Sequence, residues 1–250
     1  MEPRRGGRAG GVLLSDRRYF RQLLAGRDYA LDDRFAREMA NYVYAIGDRE
    51  TGEAVLVDPA YAPAELVALL RADGLSLSGV LLTHYHADHA GGHIGSVEIA
   101  GIAALLEHAD VPVHVQRDEL GWVTATTGVG AGSLLAHAPG DTVTVGGRSI
   151  TLVHTPGHTP GSQCLLVDGT LVTGDTLFLH GCGRTDLPGG DPVALYDSLI
   201  HRLAPLPGET AVFPGHAYAP EPSASLAVLR AENPVLAPLD EADWLVRYGA

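Results

Sequence analysis

Cysteine is nearly missing from this chain: 250 residues hold only Cys164 and Cys182. Two are too few for a disulfide framework, and they lie apart from any C-x-x-C pattern. They are expected to be buried or free thiols in a reducing compartment. Basic residues are also scarce, 17 against 30 acidic ones, for a net charge of −13. Phosphate binding needs a basic surface, so nucleic acid is excluded as a main partner. No apolar run has the length of a membrane span. The run Val12 to Leu14 follows a basic start (Arg4, Arg5, Arg8) but is too short for the apolar core of a signal peptide. Residues 1–11 are therefore expected to be a disordered or loosely attached leader, and the location is expected to be cytoplasmic. There is no short-period repeat and no low-complexity linker.

What is present is ample apolar content, 46%, enough for a globular core. The length suits one large domain or two small ones; a single domain over 1–250 is expected. The most informative stretch is Thr83-His84-Tyr85-His86-Ala87-Asp88-His89, with apolar Gly79-Val80-Leu81-Leu82 before it and Gly91-Gly92 after it. A strand feeding a tight loop crowded with imidazoles suggests a metal site, since neutral imidazole binds zinc or iron and carboxylate oxygen completes the shell. On a strand edge, His84 and His86 point the same way and can grip one ion. Asp88 and His89 follow the turn and can reach a second. The alternative is a chance cluster of surface polar residues, in a chain with 12 histidines.

Around this loop, residues 16–25 carry Tyr19, Phe20, Leu23 and Leu24 at helical spacing, which predicts a short helix. Tyr42 to Ile46 and Ala54 to Asp58 predict a hairpin across Gly47 to Gly52. Pro63 opens a helix to about Ala72, stopped by Gly74. Residues 97–108 predict a helix with Ile99, Ile102, Ala103 and Leu106 on one face. Val111 to Val115 predicts a short strand whose proline marks an edge or a start. Residues 119–126 are ambiguous, and 128–132 predict a flexible loop. The second half predicts strands over 142–145, 149–154, 163–167, 170–173 and 210–213, with helices over 192–203 and 223–231. The alternation fits a layered α/β protein.

Three further segments place a candidate ligand after glycine at a strand end: Gly157-His158, Gly174-Asp175 and Gly215-His216. Glycine lets the backbone turn sharply and approach closely. Each alone is weak; four such loops in this order are a strong signal.

With these residues the chain resembles the metallo-β-lactamase superfamily over roughly Tyr42 to Tyr218. The resemblance implies a four-layer αββα sandwich of α/β class, with the metal site at one edge of the sheets. His84, His86, Asp88 and His89 match its H-x-H-x-D-H motif; His158, Asp175 and His216 match its later ligands. It implies that His84, His86 and His158 hold one metal, that Asp88, His89 and His216 hold a second, and that Asp175 bridges them. No cysteine stands at the second site, unlike one subclass of true β-lactamases. His86 stands where flavodiiron proteins carry Glu, and the chain has no room for the added domain of the nuclease branches. Gly174 to Phe178 and Gly181-Cys182-Gly183-Arg184-Thr185-Asp186 resemble both the glyoxalase II-like hydrolases and the persulfide dioxygenases. Phe20 to Leu24 and Glu53 to Pro59 resemble the dioxygenases; Leu187-Pro188-Gly189-Gly190-Asp191 resembles short, single-domain glyoxalase II-like proteins. After His216 only 34 residues follow (250 − 216), too few for the helical domain that helps full-length glyoxalase II bind glutathione, so another thiol or ester-like substrate is open.

The expected activity is hydrolysis of a small-molecule thioester or related ester, with two zinc ions and a hydroxide between them as nucleophile. The runner-up is a persulfide dioxygenase with one ferrous ion on His84, His158 and Asp175; a lactonase is the third option. Asp88 is mainly a ligand that also orients water. Arg184 is a candidate contact for an anionic substrate, or simply a salt-bridge partner of Asp186. Tyr218 is a candidate substrate contact, and His93 a candidate for the pocket wall. Asp58, at a strand end, is a candidate to orient a ligand histidine. Cys182 is expected to be structural, and His108, His114, His137, His154, His180 and His201 to be surface or satisfied core residues. The oligomeric state is open, a dimer being one option.

Overall fold

The computed structural model describes residues 17–237 and 240–248; the basic segment 1–11 lies outside them. Two six-stranded sheets dominate. The first runs β1 (Arg18–Leu24), β2 (Tyr42–Asp48), β3 (Glu53–Val57), β4 (Ser76–Leu81), then β7 (Val113–Gln116) and β8 (Leu134–His137), with a small separate hairpin of β5 (Gly92–Ile94) and β6 (Val97–Ile99). The second runs, from one edge, β9 (Thr142–Val145), β10 (Arg148–His154), β11 (Gln163–Val167), β12 (Thr170–Gly174), β13 (Ala211–Pro214) and β14 (Ala224–Ser225). The helices are α1 (Arg34–Met39), α2 (Pro63–Ala72), α3 (Ala87–Ala90), α4 (Ile102–Leu106), α5 (Leu120–Thr127), α6 (Pro192–Asp197), α7 (Leu226–Glu232) and α8 (Glu241–Tyr248).

Strand alternation explains the layers. On β2, Val43 and Ala45 face a core shared with Leu66 and Leu70 of α2, while Tyr42, Tyr44 and Ile46 face the opposite way. There they meet Leu165 and Val167 of β11 in an inter-sheet core. Cys164 and Leu171 point outward to a third core with Leu195, Leu229 and Trp244. Successive side chains leave opposite faces of a strand, so two sheets buried on both faces require helices outside each. This is the expected αββα sandwich.

Two expected helices are corrected. Residues 18–24 form β1, paired antiparallel with β2 from Arg18↔Asp48 to Leu24↔Tyr42. Both faces of this strand are covered. Tyr19 and Leu23 join the helix-side core, and Phe20 and Leu24 lie against the inter-sheet core. The polar residues between them reach partners: Arg21 pairs with Asp73 at 2.7 Å, and Gln22 donates to Tyr44 Oη at 3.1 Å. Apolar pairs flanking two polar residues imitate helical spacing. Over 97–108 the helix is only Ile102–Leu106, preceded by β6. Gly101 separates them, because a Cβ there would stand 2.2 Å from the Ala90 carbonyl oxygen.

The proline before β7 marks a strand start and not an edge, since β7 lies between β4 and β8. The ambiguous segment is a 3-10 turn, Arg117–Glu119, followed by α5. The 192–203 helix continues past α6 in a wider π-helical stretch, Ser198–Leu203. No described helix is long and apolar enough to cross a membrane.

Candidate metal centre

Four strand ends meet at one edge of the sandwich. The sheets are stitched there: Gln163 donates through its backbone to the Thr83 carbonyl (2.9 Å) and through Nε2 to the Leu82 carbonyl (2.8 Å). On the other flank, Tyr42 N donates to the Gly215 carbonyl at 2.8 Å. The loop after β4 then supplies His84 and His86, and the single turn of α3 carries Asp88 and His89. The loop after β10 supplies His158, the end of β12 supplies Asp175, and the end of β13 supplies His216.

All seven predicted residues converge. His86 Nδ1 lies 3.1 Å from His84 Nε2 and 3.0 Å from His158 Nε2. His89 Nε2 lies 3.2 Å from His216 Nε2 and 3.5 Å from Asp88 Oδ2. Asp175 stands between the groups, 3.3 Å from His216 Nε2, 3.4 Å from His89 Nε2 and 3.8 Å from His158 Nε2. Gly215 permits this closeness, since a Cβ there would come within 2.2 Å of Asp175 Oδ1.

The far nitrogen of four rings is held, which fixes the tautomer and aims the lone pair inward. His158 Nδ1 donates to the Arg184 carbonyl (2.7 Å), and His216 Nδ1 to the Met39 carbonyl (2.8 Å). His89 Nδ1 meets Asp58 Oδ2 at 3.0 Å. Thr83 Oγ1 donates to Asp58 Oδ2 (2.6 Å) and accepts from His84 Nδ1 (3.0 Å). Asp58 thus orients His89 directly and His84 through Thr83.

The electrostatics divide the rings. Burial pushes the imidazoles of His84 and His158 down, and burial with the field of His158 takes His86 to about 4. These three are neutral donors at pH 7. Burial also opposes charge on His89, but Asp88 and Asp175 outweigh it and raise it to about 9; Asp175 and Asp88 raise His216 likewise. The two carboxylates thus make the second group favourable to positive charge. Asp175 Oδ1 is buried with no hydrogen-bond partner, so a donor is available and unspent. Nitrogen and carboxylate donors in this arrangement fit a divalent metal ion.

Several residues outside the sequence expectations complete the site. Buried Glu119 accepts from Tyr85 N (2.8 Å), Thr159 Oγ1 (2.7 Å) and Gly161 N (2.6 Å), tying the His84–His86 loop to the His158 loop. Its segment lacks clear periodicity, and its partners lie 34 to 42 residues away. Buried Asn41 places Nδ2 3.1 Å from Asp88 Oδ2, and Tyr61 Oη lies 2.8 Å from Asn41 Oδ1. No local motif marks either residue.

A cavity of about 630 Å³ opens over the centre, with His93, Arg184, Cys182 and Tyr218 in its wall. Tyr218 stacks on His216, ring centres 4.6 Å apart, and stands edge-on to Phe178. Arg184 is largely exposed and makes a two-pronged salt bridge to Asp186 at 2.5 and 2.6 Å. Burial pushes the Cys182 thiol up to about 12, so it is protonated at neutral pH. His114 and His137 are not lone histidines: their rings meet at 2.8 Å.

The Lactamase_B family model, described as the metallo-beta-lactamase superfamily, matches residues 36–216. A hydroxyacylglutathione hydrolase of Xanthomonas campestris pv. campestris is 40% identical over 178 residues, 71% of this chain and 61% of that protein. The chain therefore spans less than two thirds of that relative. A mitochondrial persulfide dioxygenase, ETHE1 of Mus musculus, is 31% identical over 211 residues, 83% of this chain and 76% of that protein. The crystal structure of ETHE1 from Myxococcus xanthus superposes with a TM-score of 0.74 at 32% identity, covering 91% of this chain and 88% of that one. A family match over well more than half its length, on a sandwich whose strand ends gather the matching histidines and aspartates, shows that this chain belongs to the metallo-β-lactamase superfamily.

Proposed function

We propose that this protein is a two-metal hydrolase of small thioesters, zinc being the favoured ion. The observation that supports it is the presence of two separate donor groups: His84, His86 and His158, and Asp88, His89 and His216. Asp175 stands between them to bridge. Both donor groups are complete, so the chain can hold two ions. Bound divalent ions supply hydroxide from water at neutral pH and polarise an acyl carbonyl.

The chain's own residues do the rest. Asp58, Thr83, Met39 and Arg184 (the last two through their carbonyls) hold the ring nitrogens in the ligating tautomer. Asp88 and Asp175 neutralise the ions. Met39, Ile94, Phe178, Leu187 and Pro188 make an apolar wall, and the one arginine in it is paired with Asp186. The chain has no lysine. This wall favours an uncharged acyl group beside the metals. Thiolate is a good leaving group, so no general acid is required, and the protonated Cys182 takes no part.

The relation to ETHE1 favours the second reading, a one-iron persulfide dioxygenase on His84, His158 and Asp175. One experiment separates the two. Protein produced with both zinc and iron supplied is analysed for metal, then assayed for thioester hydrolysis and for O₂ uptake with a persulfide. The hydrolase reading expects about two zinc ions per chain, thioester turnover, and severe loss of turnover in His89→Ala and His216→Ala. One iron per chain, O₂ uptake and full activity in both variants would overturn it. His84→Ala and Asp175→Ala should be inactive under either reading.

A further inference from the structure

Asn41 belongs to neither donor group, yet it closes one of them. Its side chain is buried at the start of β2, where the Asn41 backbone bridges to His216. Nδ2 lies 3.1 Å from Asp88 Oδ2, 3.2 Å from His89 Nε2 and 3.5 Å from His216 Nε2. Those three atoms are themselves 3.5 Å (His89 to Asp88), 3.4 Å (His216 to Asp88) and 3.2 Å (His89 to His216) apart. The four atoms thus form a near-regular tetrahedron. Donors about 2.0–2.1 Å from a zinc ion stand roughly 3.3–3.4 Å from one another, so the spacing is that of donors sharing one ion, with Asp175 a further, bridging donor at 3.3 and 3.4 Å from His216 and His89.

A carboxamide nitrogen cannot ligate, but the oxygen on the same carbon can. The residue behind Asn41 makes the exchange inexpensive. Tyr61 is buried, its phenol pushed up by burial and held protonated, and its hydroxyl lies 2.8 Å from Asn41 Oδ1. A hydroxyl donates to an amide oxygen or accepts from an amide nitrogen equally well. Turning the carboxamide over exchanges its two ends and keeps a bond to Tyr61. Resting on the two-metal reading above, we propose that Asn41 is a further ligand of the second ion, through Oδ1, with Tyr61 holding the carboxamide in both orientations. Without metal, Nδ2 faces the donor group and donates a hydrogen bond to Asp88; with metal, Oδ1 faces it.

The test is a zinc titration of the metal-depleted full chain, followed by calorimetry and by elemental analysis after gel filtration. The wild type should take two ions. Asn41→Leu, matched in size but without a donor, should bind the first ion with unchanged affinity and the second at least ~10-fold more weakly, the scale of lost ligand support. Asn41→Asp, which keeps an oxygen there, should retain both. First-ion affinity and the metal-free melting temperature serve as controls that the variant is folded. Asn41→Ala carries the same comparison if the leucine variant fails to fold. A leucine variant with wild-type affinity for both ions would refute the assignment of Asn41 alone. A wild type that takes only one ion in excess zinc would overturn the two-metal reading, and this inference with it.

Discussion

Removing Glu119 tests whether the two loops of the first donor group are held by one buried carboxylate. Glu119 is 1% exposed and accepts three hydrogen bonds. In Glu119→Ala, Thr159 Oγ1 keeps a second partner, Ser162 Oγ, at 2.7 Å. The amides of Tyr85 and Gly161 do not. Each buried donor left unpaired costs about 1–3 kcal/mol. Burial raises the Glu119 carboxyl above its usual range despite its three donors, so removing the charge returns part of that cost. The expected net loss is about 2–4 kcal/mol, within the ~5–15 kcal/mol of a typical domain. Glu119→Gln keeps one oxygen but sets an NH₂ against the Gly161 amide, and should lose about 1–3 kcal/mol. Because Tyr85 lies between His84 and His86, and Thr159 follows His158, zinc affinity of the first group should fall in both variants. Urea unfolding of metal-free protein and zinc titration measure the two effects. A Glu119→Ala protein within ~0.5 kcal/mol of wild type, with unchanged zinc affinity, would refute the reasoning.

Two further effects lie away from the centre. Arg148 of β10 is buried and donates to Asp168 and, across the sandwich, to the carbonyls of Tyr19 (2.8 Å) and Gly47 (2.9 Å). Arg148→Met keeps the apolar stem but removes the charged hydrogen bonds to both carbonyls, which keep only their β1–β2 ladder partners; it should lose about 2 kcal/mol in chemical denaturation while metal content stays the same. His114 faces His137 in a cavity also lined by Glu53, Ser78 and Thr144. Burial and then His137 push it down to about 4. The unfolded chain takes up this proton near pH 6.5 and the native state does not. The stability held above pH 6.5 is therefore lost as pH falls from 6.5 to 4. Metal-free His114→Asn should lose less stability than wild type over that window; parallel curves for the two proteins would count against this placement of the charge.

The sequence by itself determined which histidines and aspartates gather at the centre and the class of fold. Histidine and aspartate after glycine at strand ends are local facts, and so are the β2–β3 hairpin over Gly47 to Gly52 and the proline-started α2. The sequence also named Asp58, because a carboxylate at a strand end next to the ligand loop can be suspected from position alone. Only the tertiary structure decided that residues 18–24 are a strand, since what makes them one is the ladder to β2, not their own spacing. It likewise cut the 97–108 helix short, where Gly101 meets the backbone at Ala90. Glu119, Asn41 and Tyr61 were invisible for the same reason. Each acts through partners far along the chain, and a hydrogen bond between distant segments leaves no period in either one. The kinds of donor are carried by residue type, whereas the positions of the donor atoms depend on strand ends from two sheets meeting, which only packing brings about.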